Sequence, residues 1–156
     1  MPAEQLYKVA YDEAVRALSE QQQAIDSFRA RAGLLFSAAA VTTSFLGAEA
    51  LRGSGLSLAS WSALTCFVGV AAASLAVLWP RKWDVMATPR DVIGTYIESA
   101  KPAPTGGMYR ELSLHMHGSY LENGKGLRKL IVFLQIASVS LTFEVVLWIV
   151  AIAMGS

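Results

Sequence analysis

The chain has 156 residues, of which 54% are hydrophobic and 16% charged, against about 25% charged in soluble domains. A net charge of +1 excludes a global field that attracts nucleic acid, and a single cysteine excludes an intramolecular disulfide or a CxxC motif. The length suits one domain. The composition favours a membrane protein, with a soluble, strongly apolar helical bundle as the alternative class.

The first segment, residues 1–31, predicts an amphipathic helix that lies in the cytoplasm. Apolar or small side chains recur at three- and four-residue intervals, and Gln21–Gln23 fall among the polar positions. No Gly or Pro interrupts the pattern between residue 3 and Gly33, so we expect the helix to continue into the next apolar run. The narrow apolar stripe favours pairing with another helix over lying on the lipid surface. No cleaved signal peptide is expected, because no basic stretch leads directly into an apolar one.

Three apolar runs predict membrane-spanning helices. Residues 32–79 form a predicted hairpin of two spans, joined by a short link at 49–57. The third span, residues 130–154, contains one charged side chain, that of Glu144. At 1.5 Å per residue, runs of this length cross the roughly 30 Å hydrocarbon core of a bilayer. We therefore expect an all-α protein with three transmembrane helices.

Small and aromatic residues predict how the hairpin packs. Gly69 and Ala73 form a small-xxx-small pair in the second span, and the first span is also dense in small residues. Such residues allow close approach of helices in lipid. Trp61 and Trp79 are predicted to mark the two ends of the second span, because indole favours the membrane interface.

The distribution of Lys and Arg predicts the orientation of the spans. Four precede the first span, Arg52 lies in the link, eight lie in residues 80–129, and none follows the third span. Basic segments stay in the cytoplasm under the positive-inside rule. We expect a multi-pass protein of the bacterial inner membrane with its N-terminus in the cytoplasm and its C-terminus outside.

Residues 80–129 are predicted to form a helical cytoplasmic segment between spans two and three. Thr88 and Pro89 indicate the start of a short helix, and the sequence KPAPTGG at 101–107 predicts a break. A further helix is expected to begin near Met108 and to continue into the third span, loosened at two glycines. The apolar face of the short helix comprises Val92, Ile93, Tyr96 and Ile97, and the two glycines are Gly124 and Gly126.

Basic residues lie where the predicted spans meet the cytoplasm. Each Lys or Arg near an anionic membrane surface contributes about 1 kcal/mol of binding, which favours contact with lipid headgroups. The segment 123–129 contains glycines and a lysine but lacks the phosphate-binding pattern GxxxxGK[ST] after a strand. The predicted headgroup-binding residues are Arg81, Lys82, Lys125, Arg128 and Lys129.

Glu144 is the main candidate functional residue, since an acid inside a span costs a few kcal/mol and normally faces protein or water. It shares a helical stripe with Ser140 and small residues. By depth it should lie level with Thr65, with Cys66 and with the outer half of the first span. One interpretation is a group that responds to protons or cations, or that lines a pore. The other is a neutral acid that packs helices together through a hydrogen bond.

Other chemistry has little support in the sequence. His115 and His117 lie two residues apart, so on a helix they point away from each other. A metal site that combines His115 with Glu111 and Glu122 is the alternative to a solvated polar face. The chain lacks GxSxG, HExxH and a spaced Ser/His/Asp set. We therefore expect no enzymatic activity, metal or cofactor.

The stretch AIDSFRARAGLLFSAAAVTTSFLG, residues 24–47, together with the second span, resembles small bacterial membrane proteins of the Pycsar-effector and SLATT types. Those proteins belong to nucleotide-signalling antiviral systems. The resemblance covers about a third of the chain, and the third span fits it less well. It implies an oligomeric membrane effector that is gated by a cytoplasmic nucleotide or protein signal, and it supplies no site residue.

The leading functional hypothesis is a homo-oligomeric, membrane-perturbing or channel-like effector in the lipid bilayer. A non-catalytic scaffold that recruits a partner through its cytoplasmic helices is the first alternative. A small component of an ion- or proton-coupled transporter, centred on Glu144, is the second.

Overall fold

The computed structural model describes residues 3–53, 57–80, 92–98 and 104–155. Of these described residues 96% are helical, and none lies in a strand. The predicted all-α class is confirmed. Three helices are long and apolar enough to cross a membrane, which indicates a multi-pass membrane protein. The elements are α1 (Ala3–Gly53), α2 (Leu58–Leu78), a π-helical turn (Ile93–Ile97) and α3 (Thr105–Gly155).

Helices α1 and α3 each run for 51 residues without interruption. The prediction that each combines a polar segment with an apolar span is therefore correct. Helix α3 begins three residues before the expected Met108, because the carbonyl of Pro104 accepts the N–H groups of Gly107 and Met108 at 2.8 and 3.2 Å. Residues 105–107 thus belong to the helix rather than to the predicted break, and 101–103 lie outside the described residues.

Local chemistry sets the ends of α2. Ser57 caps its start, with the side-chain oxygen accepting the N–H of Ser60 at 3.2 Å. The helix ends before Pro80, which has no N–H to continue the ladder. Trp61 and Trp79 are 58% and 67% exposed. They lie about 27 Å apart at 1.5 Å per residue, which matches the hydrocarbon thickness and the predicted span ends.

The chain divides into two compact units, and each unit combines parts of more than one of the four predicted segments. The polar unit comprises the described parts of 1–25 and 81–127. The membrane unit comprises the described parts of 26–80 and 128–156. Each unit therefore contains part of α1 and part of α3.

In the polar unit, α1 and α3 pack side by side in the same direction, as the prediction of helix pairing requires. The rings of Tyr11 and Tyr109 lie 5.4 Å apart between centroids. Gln21, which was predicted on the polar face, is buried and donates its amide N–H to the carbonyl of Tyr120 at 3.1 Å. Of the apolar positions predicted for this stripe, Leu18 and Ile25 are buried, whereas Val9 is 62% exposed.

Within the described residues, the predicted short helix appears as the π-helical turn. The expected start at Thr88 and Pro89 lies outside the described residues. Ile93, expected on the apolar face, is exposed, whereas Val92 and Tyr96 are half-buried. Val92 and Tyr96 thus contribute to packing, and the side chain of Ile97 lies outside what the structure describes.

In the membrane unit, α2 runs opposite to α1 and α3 and packs on both through small side chains. One core cluster contains Ala39, Val70, Ala73 and Ala137, which come from all three helices. The predicted small-xxx-small pair faces α3 as well as α1. A Cβ added to Gly69 would lie 3.3 Å from the Ser140 hydroxyl oxygen. The second core cluster contains Ala50, Ala63, Trp148 and Ala151.

Gly47 provides a test of this close packing. A Cβ at this position would lie 3.1 Å from two ring carbons of Trp148, whereas a Cβ at Gly33 meets nothing within 4 Å. We expect Gly47→Leu to lower the free energy of unfolding by about 1–3 kcal/mol through overpacking, and Gly33→Leu to change it much less. Thermal unfolding in detergent, followed by tryptophan fluorescence, measures both. Equal losses in the two variants would contradict this packing.

Candidate functional site: a buried carboxyl in the membrane unit

The Glu144 side chain is buried inside the membrane unit, with 0% of the residue exposed. It lies on the face of α3 that also carries Ala137, Trp148 and Ala151, all of them buried. These positions recur at helical spacing, so one side of α3 faces the other helices. The predicted stripe around Glu144 is therefore correct, and the stripe faces protein within a single chain.

Hydrogen bonds connect Glu144 to α1 through Thr43. The Thr43 hydroxyl donates to Oε1 of Glu144 at 2.7 Å. The indole N–H of Trp148 donates in turn to the Thr43 hydroxyl oxygen at 3.3 Å. All three groups thus form one chain of donors that ends on the carboxyl, and each bond polarises the next. We call Thr43, Glu144 and Trp148 the Glu144 cluster.

A glycine allows the Glu144 cluster to form. Gly47 lies one turn after Thr43 on α1, and its missing side chain leaves room for the six-membered ring of Trp148. Trp148 lies one turn after Glu144 on α3. The indole therefore rests against α1 at Gly47 while its N–H reaches Thr43.

The second carboxyl oxygen of Glu144, Oε2, is buried and has no hydrogen-bond partner among the described residues. One oxygen is therefore held by Thr43, and the other has unused bonding capacity. A carboxyl in this arrangement can bind a proton or contact a cation at Oε2 without losing the bond to Thr43. Unpaired buried polar atoms are uncommon in native proteins and often mark functional sites.

The other two polar residues predicted for this site lie outside the Glu144 cluster. Thr65 is exposed on α2, and its hydroxyl donates to the carbonyl of Trp61 at 2.9 Å. Thr65 was predicted for the site from its depth in the second span, but the rotation of α2 turns its side chain away from α3. Ser140 is half-buried one turn before Glu144 and packs against Gly69. Neither residue belongs to the Glu144 cluster.

Sequence reasoning placed Glu144 level with the outer half of the first span, which is where Thr43 lies, but it did not name Thr43 as the partner. Two signals pointed to the cluster. Thr43 and Gly47 lie four residues apart, and so do Glu144 and Trp148. Thr43 and Gly47 therefore share one face of α1, and Glu144 and Trp148 share one face of α3. Gly47 leaves the space that the Trp148 ring fills.

The predicted headgroup-binding residues are only partly described. Lys125, Arg128 and Lys129 are exposed on α3, as binding to lipid requires. Arg81 and Lys82 lie outside the described residues. Binding to headgroups stays a prediction for all five.

The polar unit has its own polar contacts. His115 and His117 are both exposed, and the described residues include no group of three or more His, Cys, Asp or Glu placed to hold a metal. Glu111 instead accepts a hydrogen bond from Tyr96. Partial burial raises the pKa of the Tyr96 phenol, and the hydrogen bond and charge of Glu111 raise it further.

The polar unit also has a groove of about 380 Å³ between α1 and α3. Alanines of α1, Ala10, Ala14 and Ala17, form much of its lining. Glu13 and His117 lie along it. The groove is therefore largely apolar with two ionisable side chains at its sides.

The chain matches no family model, no curated protein and no solved structure. Its resemblance to the Pycsar-effector and SLATT types therefore stays a prediction. The Glu144 cluster is the feature of the described structure from which a function can be argued.

Thr43→Val tests the Glu144 cluster. Valine keeps the shape of threonine but removes the bonds to both Glu144 and Trp148, so we expect a loss of about 0.5–1.5 kcal/mol in the free energy of unfolding. Thr43→Ser should retain most of the stability. Thr65→Val is the matched control, with an expected change within about 0.5 kcal/mol. Unfolding by SDS in mixed micelles measures all three, and equal effects at Thr43 and Thr65 would refute the cluster.

Proposed function

We propose that this chain is an oligomeric, channel-like or membrane-perturbing effector of the bacterial inner membrane, controlled by a signal at its cytoplasmic helices. One observation carries the proposal. Both α1 and α3 continue without a break from polar residues into apolar spans. A movement of either helix at its polar end would therefore be transmitted along the same helix into its span. The span of α3 carries Glu144.

The Glu144 cluster is the element that such movement would change. Its bonds join α1 to α3 inside the membrane unit. Helix shifts of roughly 1–2 Å are typical of switching proteins, and a shift of that size would separate Thr43 from Glu144. The cluster thus holds the closed arrangement, and its opening frees a carboxyl inside the membrane.

The resemblance to antiviral effectors suggests the class of signal, a nucleotide or a protein that binds in the cytoplasm. Small side chains of all three spans fill the interior of the membrane unit around Ala39 and Val70. A path for ions therefore requires either rearrangement of the spans or contact between copies. This requirement favours a homo-oligomer over a single chain.

A proton- or cation-coupled transporter component is the second candidate. The specific observation in its favour is Oε2 of Glu144, which is buried and unpaired among the described residues. In that role Glu144 would carry the charge itself, whereas in the effector it holds two helices together. The two candidates therefore differ in whether the carboxyl must ionise.

The directions of the spans give a topology that reporter fusions can test. Helices α1 and α3 enter the membrane unit in the same direction, with Arg31 and Arg128 exposed at their entries. Basic residues favour the cytoplasm. We expect periplasmic reporters fused after Ser156 to be active and those fused near Pro104 to be inactive. An inactive fusion after Ser156 would overturn the three-span orientation.

Substitutions of Glu144 separate the two candidates. Gln keeps the size and accepts the Thr43 hydroxyl but cannot ionise, whereas Leu removes the bond. For the effector we expect Glu144→Leu to raise dye release from liposomes several-fold, because the closed arrangement is lost, and Glu144→Gln to match wild type at each pH.

For the transporter, Glu144→Gln should instead abolish the dependence of flux or membrane potential on pH. If release from wild type and both variants equals that from empty liposomes, the effector proposal fails and the scaffold alternative stands.

A further inference from the structure

Helix α3 carries a second polar feature on the side opposite Glu144. Gln135 lies nine residues before Glu144, which places the two about 180° apart around the helix at 3.6 residues per turn. Gln135, Ser138 and Thr142 are all exposed within the span. The exposed face of α2 is mainly apolar by comparison, with Leu58, Val68 and Leu75 along it.

The Gln135 carboxamide is the amide on this face, and no described residue forms a hydrogen bond with it. It lies about 9 Å along the axis from Lys129 at 1.5 Å per residue. Its two methylenes are too short to return the amide to the headgroups. An amide left in hydrocarbon without a partner costs several kcal/mol.

The hydroxyls beside Gln135 are already bound as donors. Ser138 donates to the carbonyl of Leu134 at 2.9 Å, and Thr142 donates to the carbonyl of Ser138 at 3.0 Å. Their oxygens keep lone pairs as acceptors. This face therefore presents an amide, which donates and accepts, followed by two acceptor oxygens.

Residues at alternating four- and three-residue intervals on this side of α3 would form a coiled-coil seam with a second helix. Positions alternate by four and three residues, with Gln135, Thr142 and Ile149 equivalent to a and the others to d. An amide side chain at an a position of a coiled coil can fix register and the number of strands. We call these positions the Gln135 stripe: Ile131, Gln135, Ser138, Thr142, Val145 and Ile149.

We infer that the Gln135 stripe is the surface through which two copies of this chain associate. Copies inserted in the same orientation have parallel α3 helices, and a two-fold axis along the membrane normal places Gln135 opposite Gln135. A carboxamide is complementary to itself, since each amide can donate to the oxygen of the other. Ser138 is small enough to let the two backbones approach.

The inference rests on the proposed function, in which copies assemble, and it names the surface that they use. A rival surface exists on α1. Ser37, Val41, Ser44 and Ala48 form an exposed stripe of small residues. It lacks an amide, and the Ser44 hydroxyl is already bound to the carbonyl of Ala40 at 2.7 Å. The α1 stripe would therefore allow two helices to approach closely, but it has no amide that needs a hydrogen-bond partner.

Cysteine crosslinking in native membranes tests the inference in a Cys66→Ala background, which removes the natural thiol. We expect Ser138→Cys to give a disulfide-linked dimer upon mild oxidation. Leu75→Cys, on the exposed face of α2, should give none. Ser44→Cys reports on the α1 stripe. Addition of Gln135→Leu to Ser138→Cys should reduce the dimer, and we expect about tenfold weaker self-association of Gln135→Leu in detergent titrations.

The outcomes separate this inference from the proposed function. A dimer through Ser44→Cys but not through Ser138→Cys overturns the Gln135 stripe and leaves an oligomeric effector in place. Full crosslinking of Ser138→Cys despite Gln135→Leu overturns the role of the amide. Monomers at every position, in membranes and in detergent, overturn both the stripe and the oligomeric effector.

Discussion

The hydrogen bond between Thr43 and Glu144 is the constraint around which the membrane unit is arranged. Hydrocarbon offers no partner to a polar side chain, so a carboxyl in a span must be satisfied by protein. Thr43 satisfies one oxygen of that carboxyl at 2.7 Å. Helix α1 must therefore lie beside α3, at one height and with one rotation. The position of Gly47 against Trp148 follows from the same register.

Packing around this bond depends on small residues rather than on a hydrophobic driving force. Lipid is as apolar as the helices, so helices gain little by leaving it, and close contact supplies the attraction. Ala39, Val70 and Ala137 meet at one level, and Ala50, Ala63 and Trp148 at another. Alanine contacts alone tolerate sliding and rotation of the helices. The Glu144 cluster removes that freedom because its three groups meet in only one register.

The spans and the long helices could be predicted from composition and periodicity. The long apolar runs predicted the spans, and the absence of Gly or Pro before Gly33 predicted that the first helix continues into its span. Rotation about each helix axis was harder to predict. Thr65 and Thr43 lie at similar depths, and only the packing of α2 decides that Thr65 faces outward. Gln21 was misplaced for a related reason, since an amide can be buried when a carbonyl such as that of Tyr120 accepts its N–H.

Glu144 and Gln135 in the third span differ in where their hydrogen-bond partners come from. Glu144 is satisfied within one chain, so its contacts can form when the three helices first pack. Gln135 faces the opposite way, and we propose that it is satisfied only by a second copy. Folding of the single chain would then precede association, as in the general two-stage description of membrane proteins. Because both groups lie on α3, a rotation of this helix that opened the Glu144 cluster would also turn Gln135 away from its partner. A signal that rotates α3 would thus change the interior of each copy and the contact between copies together.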